Sequence, residues 1–274
     1  IEKDNTDRNR TSPFAFTGNK FEFRAVGSSQ SIAFPITLLH AAVAEAIGEL
    51  TDQLRETLKR TKNVNDAVLK VVREAFKETA AVRFEGNNYS QEWVDDAKKR
   101  GLLNLRRTPE ALAQLTTKNA RTVLTKLDIL TKAEIDSRYH VKLERYIKDM
   151  LIELHTLAQM VDTMILPACY SYHGLLADAA AKAKAAGIAV IPQVSAANDV
   201  GALIEQLRER RATLGAAIEK AEHEHENVDA CAKLLTSEGA DAMGAVRETC
   251  DALELAVGDE FWPLPKYREM LFPV

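Results

Sequence analysis

The chain has 274 residues, 46% hydrophobic and 28% charged, with a formal net charge of −4 at pH 7. That profile excludes a disordered chain, and an acidic balance without long basic runs excludes a nucleic-acid partner gripped mainly through its phosphates. The length suits one large or two modest domains.

The chain opens with polar and small residues and carries no apolar signal core in its first 30 residues. Asn9 to Arg24 reads NRTSPFAFTGNKFEFR. From Lys20 to Arg24 polar and aromatic residues alternate, the period-2 mark of a half-buried strand. Phe21 and Phe23 would share the buried face, and Lys20, Glu22 and Arg24 the other, spaced roughly 6.5 to 7 Å along the strand. A carboxylate between two cations reads either as a solvated salt-bridge ladder or as one wall of a site. Arg10 lies in a second segment just upstream, and Thr17-Gly18-Asn19 is a turn signal that would fold the two together. One hairpin is marginal alone in water, and no other strand is legible downstream. The expectation is that the chain, which begins at Ile1, is the C-terminal part of a longer protein.

Residues 25–34 read as a small-residue loop, and Pro35 suits the first turn of a helix. Ile36, Leu39, Val43, Ile47, Leu50, Leu54 and Leu58 then recur in steps of three and four, predicting an amphipathic helix to near Lys62. Asn65 is the expected cap of a second helix with Val68, Val71, Val72, Ala75 and Phe76 on its buried face, broken at Gly86-Asn87-Asn88. Ser90 caps a short helix through Trp93, ended by Gly101. Thr108-Pro109-Glu110 opens another, and Thr117 to Leu127 is a third short helix.

The longest element follows. Thr131 with Glu134 three residues on is a capping box. Leu143, Ile147, Met150, Leu154, Leu157, Val161 and Met164 form a seam in steps of four and three. Pro167 should kink or interrupt it, Leu175 to Ala186 resumes it, and Gly187 and Pro192 close it. Residues 188–198 read as a connector. A second seam runs Val200, Leu203, Leu207, Leu214, Ala217, Ala221, Val228, Cys231, Leu235, and a third, after Gly239, runs Met243, Val246, Cys250, Leu253, Val257. Three long helices joined by short breaks predict an antiparallel bundle. Phe261-Trp262-Pro263-Leu264-Pro265 cannot be helical, Tyr267 to Phe272 makes one last turn, and this apolar tail reads as a docking anchor.

No run approaches 18 uninterrupted apolar residues, so no membrane partner is expected. Cys169, Cys231 and Cys250 form no Cys-x-x-Cys pair, which fits reduced thiols in a cytoplasmic protein. His223-Glu224-His225-Glu226 invites a metal, but on a helix the two histidines stand about 200° apart and cannot share one. Its plain reading is a solvated helix face with the spacings Glu222–Glu226 and His225–Asp229. Cys169 with His173 is a thiol–imidazole spacing that lacks a third orienting group, and packing near Pro167 accounts for it.

The string from Asn9 to Arg24 resembles the C-terminal catalytic segment of glutamine synthetases, specifically the large class III enzymes. The resemblance continues through the alanine-rich helix after Pro35 to the terminus FWPLPKYREMLF, and so covers essentially the whole chain. It implies a mainly α fold: a short N-terminal β-hairpin, the remnant of a catalytic α+β domain, followed by a long-helix antiparallel bundle. Residues 1–62 would end the catalytic domain. Residues 63–274 would be a helical extension, with the bundle at 131–257 and the docking tail at 259–274. The family phosphorylates the γ-carboxylate of glutamate with ATP and displaces the phosphate with ammonia, using Mg²⁺ or Mn²⁺. By its pattern Glu22 is a metal ligand, and Arg24 holds the glutamate carboxylate or the transferred phosphoryl group. Arg10 contacts the ATP phosphates and stabilises the transition state. Lys20 stands where other classes place an arginine that reaches the nucleotide, keeping the charge without the bidentate fork. Other classes carry a second arginine five residues after the first, where this chain has Ala15. The remaining metal acids and the glutamate-binding loops would lie upstream of Ile1, leaving this chain inactive by itself. Class III enzymes assemble into hexameric rings stacked as dodecamers. A helical assembly module without chemistry, and another γ-glutamyl carboxylate–amine ligase, stand as the other readings.

Overall fold

The computed structural model describes residues 14–16, 21–23, 30–84, 87, 89–224 and 226–271. They are mostly helical, and they fall into two compact units: residues 1–106 with 113–137, and residues 107–112 with 138–274.

In the first unit Phe14–Phe16 (β1) and Phe21–Phe23 (β2) pair antiparallel, with Ala15 opposite Glu22. Helix α1 (Ala33–Arg60) carries Pro35 in its first turn. Its Ala41 packs with Leu124 and Ile135, and Leu38, Val123 and Ile129 close around them. Among the described residues α1 is also the one helix long and apolar enough to cross a membrane by length and composition, with a window of mean hydropathy 1.3. The requirement for an uninterrupted apolar run passes over such a window because charged residues punctuate it. One of the helix's acids, Glu45, ion-pairs with Lys126 at 2.7 Å.

Helix α2 (Val64–Glu78) departs from the expectation at both ends. Its cap is Asn63, whose side chain accepts from the Asn65 amide at 2.9 Å. It stops at Glu78 rather than at Gly86-Asn87-Asn88, where only Asn87 is among the described residues. The Thr79 hydroxyl donates back to the Ala75 carbonyl at 2.8 Å, and the Arg83 guanidinium reaches the Phe76 carbonyl, so side chains satisfy the last turn early. Of the five residues expected on its buried face only Val71 is buried, beside Ala67.

Helix α3 (Gln91–Lys99) ends in the doubly bonded glycine turn expected of Gly101: Gly101 N–H donates to Lys98 O at 3.1 Å and Leu102 N–H to Ala97 O at 2.9 Å. The Ser90 hydroxyl turns away from its own helix and donates to Asn87 O. Helix α4 (Thr108–Ala113) begins at the Thr-Pro-Glu signal, and α5 (Lys118–Lys126) is capped by Thr117. The Thr131/Glu134 capping box is complete: Thr131 N–H donates to Glu134 Oε2 at 2.8 Å, and Glu134 N–H to Thr131 Oγ1 at 3.3 Å.

That box opens α6 (Lys132–Met160), which runs through a π turn (Val161–Ile165) into α7 (Leu166–Ala185). The π turn corrects two expectations. It adds one residue to the turn, so the buried seam passes from Val161 to Ile165 and leaves Met164 exposed. It also lies just ahead of Pro167, which sits in the first turn of α7, and the rod continues past that proline as helix. Gly187, at φ 71°, closes α7. The expected connector at 188–198 shrinks, because α8 begins at Ile191 with Pro192 in its first turn and runs to His223. The third rod is α9 (Val228–Leu234), a π turn (Leu235–Gly239) and α10 (Ala240–Ala256); Gly239, expected as a break, lies buried inside it.

Pairings between the rods give their directions. Tyr139 bonds Asp229 and Tyr146 bonds Thr236, both 90 residues apart in sequence, so α6 runs parallel to the third rod. His155 meets Glu222 and Asp162 meets Arg211, an order that reverses along α8. Lys220 meets Glu238 and Arg210 meets Ala245 O and Glu248, reversing again. α8 is therefore antiparallel to both neighbours, an up-down-up bundle. Leu154, Val161, Leu207, Leu214, Leu235 and Leu253 fill its core. The tail docks on this core: Trp262 is buried, Phe261 lies 5.5 Å from Tyr172, and a Cβ on Gly258 would stand 2.9 Å from the Tyr172 ring. α11 (Tyr267–Leu271) ends the described chain.

Leu207 is fully buried and Leu255, on α10, is 90% exposed. Leu207→Ala is expected to cost about 3 kcal/mol through lost burial and the cavity left behind, and Leu255→Ala less than about 0.5 kcal/mol. Urea unfolding followed by circular dichroism measures both; equal costs would contradict the core assignment.

Candidate functional site

Glu22 is the one residue of the opening cluster among the described residues; Arg10, Lys20 and Arg24 lie outside them. Glu22 sits at the centre of β2, half-buried, because the alternating pattern of Lys20 to Arg24 favours an extended chain there. Its register partner is residue 15. Directly opposite positions of an antiparallel ladder share a face. A half-buried carboxylate is a suitable hard-cation ligand, but one oxygen donor does not make a metal centre. Among the described residues no group of three or more His, Cys, Asp or Glu side chains is arranged to hold a metal ion.

The other titratable candidates resolve into packing. Cys169 is buried, and burial, reinforced by the neighbouring Cys250, pushes its thiol up to about 11. Cys250 is likewise pushed up to about 11 by burial and by Asp251. Neutral thiols at pH 7 are poor nucleophiles. His173, four residues on, packs against Gly201 of α8, where an added Cβ would approach its Nε2 to 3.2 Å. The His223–Glu226 segment is not a helix face: α8 ends at His223, Glu224 caps it, and Asn227 starts α9 by accepting from the Ala230 amide. His225 lies outside the described residues. Glu222 instead meets His155 at 2.9 Å, and Asp229 accepts from the Tyr139 hydroxyl, whose pKa is pushed up to about 12 by burial and by that carboxylate.

Two surface features remain. In the first unit a groove between α1 and α2 is lined by Glu49, Asp52, Glu56 and Glu74 with Arg60 and Lys70. Its charges pair along the helix surface, as in Arg55–Asp52 and Lys59–Glu56, and converge on no common point. In the second unit a cleft of about 470 Å³ is walled by Leu157, Met160, Ile165, Leu264 and Met270. Trp262 also borders it, and among the described residues its buried indole N–H has no hydrogen-bond partner. The sequence announced this corner only as an apolar tail that would dock.

Residues 67–184 match the family described as the glutamine synthetase C-terminal domain. Over 278 residues the chain is 35% identical to a type-3 glutamine synthetase of Dictyostelium discoideum, covering 99% of this chain and 38% of that protein. It is 34% identical over 275 residues to a glutamine synthetase of Bacteroides fragilis, and 31% over 288 residues to one of Butyrivibrio fibrisolvens. The chain spans about 38% of the length of each of these relatives.

The buried thiols set a pH dependence. Both hold their proton more tightly in the folded state, about 11 against an ordinary 9.0. Their contribution to stability is therefore fully present below pH 9 and lost as pH rises from 9 toward 11. The urea midpoint is expected to fall across that window, and to fall less steeply in Cys250→Ala. An identical slope in the variant would contradict the burial argument.

Proposed function

The chain belongs to the glutamine synthetase family, and we propose that it is the C-terminal part of a glutamate–ammonia ligase. In that reaction the γ-carboxylate oxygen of glutamate attacks the terminal phosphorus of ATP, giving γ-glutamyl phosphate and ADP. Ammonia then attacks the acyl carbon, the C–O bond to phosphate breaks, and glutamine and phosphate leave. The observation that supports this reading is similarity over nearly the whole chain to a type-3 glutamine synthetase and to two further glutamine synthetases, together with the KFEFR segment at 20–24.

Glu22 supplies one carboxylate ligand for a divalent cation, Mg²⁺ or Mn²⁺. When bound, that ion neutralises charge on the nucleotide phosphates. Arg24 holds the glutamate carboxylate or the phosphoryl group in flight, and Arg10 and Lys20 contact the nucleotide phosphates, Arg10 also stabilising charge in the transition state. The strands 14–16 and 21–23 are the remnant of the catalytic α+β domain. Residues 1–62 complete that domain and 63–274 form the helical extension. The family match begins at residue 67, inside α2, and α1 and α2 belong to one compact unit. The other metal and substrate ligands come from polypeptide that the relatives have and this chain lacks. The full-length enzyme is expected in the cytoplasm, assembled into hexameric and dodecameric rings, without a nucleic-acid or membrane partner. A second reading is that residues 131–257, most of which pack around one continuous apolar core, serve ring assembly rather than chemistry.

In the full-length enzyme Glu22→Ala is expected to lower turnover by at least about a hundredfold, the scale for removing one preorganised charge-stabilising group, and to weaken nucleotide–metal binding. The 274-residue chain by itself is expected to form no γ-glutamyl hydroxamate from ATP, glutamate and hydroxylamine. Normal turnover in the variant would remove Glu22 from the site, and product from the chain alone would refute the missing-ligand account. Light scattering on full-length protein lacking residues 138–274 tests the assembly role, for which a smaller particle is expected and an unchanged one counts against it.

A further inference from the structure

A third groove, of about 440 Å³, runs along α5 in the first unit, lined by Thr116, Lys118, Arg121, Thr122, Thr125 and Lys132. Lys118, Arg121, Thr122 and Thr125 recur in steps of three and four, so they share one face of α5, a strip roughly 10 Å long. Val123, Leu124 and Leu127, on the other side of that helix, turn to the core. Lys132 is the first residue of α6. Three cations line this groove and, among the described residues, no carboxylate does, in a chain whose net charge is −4. The groove between α1 and α2 is the opposite case, with four acids against two cations.

The donors here are partly fixed and partly free. Arg121 gives its Nε–H to Thr116 O at 2.9 Å and its two terminal nitrogens to the Asp136 carboxylate at 3.2 and 2.5 Å. Those three bonds hold the guanidinium plane and leave two of its five N–H groups to spare. Among the described residues neither Lys118 nor Lys132 is ion-paired. The threonine hydroxyls donate to carbonyls of their own chain segment: Thr116 to Ala113 O at 2.9 Å, Thr122 to Lys118 O at 2.8 Å and Thr125 to Arg121 O at 2.7 Å. Their protons are therefore spent, and they present lone pairs to the groove. The lining thus offers two mobile ammoniums and a pre-set guanidinium to an anion, and hydroxyl oxygens to a group that donates.

We propose that this groove binds a small phosphate ester with a hydroxylated body, the chemistry of a sugar or polyol phosphate. Lys118, Lys132 and the spare N–H groups of Arg121 take the phosphate oxygens, which accept from several donors at once. Thr122 and Thr125 accept from hydroxyls of the body. The assignment is independent of the ligase reading, which uses none of these residues.

Calorimetric titration of the 274-residue chain with glucose 6-phosphate, inorganic phosphate and glucose tests this. Glucose 6-phosphate is expected to bind at least about fivefold more tightly than inorganic phosphate, the scale of one or two hydrogen bonds, and glucose not at all. Lys118→Gln/Lys132→Gln is expected to weaken the ester by at least about tenfold. Thr122→Val/Thr125→Val is expected to bring the ester within about twofold of inorganic phosphate, while inorganic phosphate itself is unaffected. Lys98→Gln/Lys99→Gln, at the end of α3, serves as the control and is expected to change nothing. All are surface substitutions, so melting temperatures should stay within about 2 °C of the parent. No binding of the ester up to about 10 mM would overturn the proposal, and so would equal losses in the Lys118/Lys132 and control variants. Equal affinity for the ester and for inorganic phosphate would overturn the hydroxylated body. Tighter binding of a hexaglutamate peptide than of the ester would overturn it in favour of an acidic protein segment.

Discussion

Burial along α8 is the constraint on which the second unit depends. Val200, Ile204, Leu207, Leu214, Ile218 and Ala221 place an apolar seam along one 33-residue helix. That seam meets Leu154, Val161 and Ile165 on one side and Leu235, Val246 and Leu253 on the other. Apolar burial is non-directional, so it does not choose between sliding registers by itself. The choice falls to the polar pairs at the rim: Tyr139 to Asp229, Tyr146 to Thr236, Arg211 to Asp162, Lys220 to Glu238. Each is worth little alone at the surface. Together they fit one alignment of three rods, and a shift by one turn would break all of them.

The first unit is built differently. Its helices share small buried sets, Ala41 with Leu124 and Ile135, while α2 leaves most of its apolar arc uncovered. It also carries the one acid of the opening cluster that the structure describes, Glu22. Incomplete burial along α2 is thus found in the first unit, and the self-sufficient apolar core in the second.

Local signals were legible in the sequence. The Thr131/Glu134 box, the closing glycines Gly101 and Gly187 and the Thr-Pro-Glu start at 108 each act within one turn of chain, and each is found where the residues place it. The two π turns were not legible, because an inserted residue leaves a seam of threes and fours almost unchanged; only three-dimensional packing tells Ile165 from Met164. The early end of α2 and the break at 224–227 were missed for a related reason. Both depend on side chains bonding backbone groups, Arg83 to Phe76 and Asn227 to Ala230, which no periodicity records. For the site, alternation in KFEFR marks an extended segment, and the family resemblance supplies the roles. The ligands that would complete it are long-range partners, which a local pattern cannot name.

Hydrogen exchange on the 274-residue chain and on the full-length protein, compared amide by amide, tests the central division most directly. The account predicts that amides of α8 and α10 exchange equally slowly in both, because their core is complete within this chain. It predicts that amides of α2 exchange at least about a hundredfold faster than those of α8 in the chain alone. Uniform protection of α2 and α8 in the chain alone would contradict it.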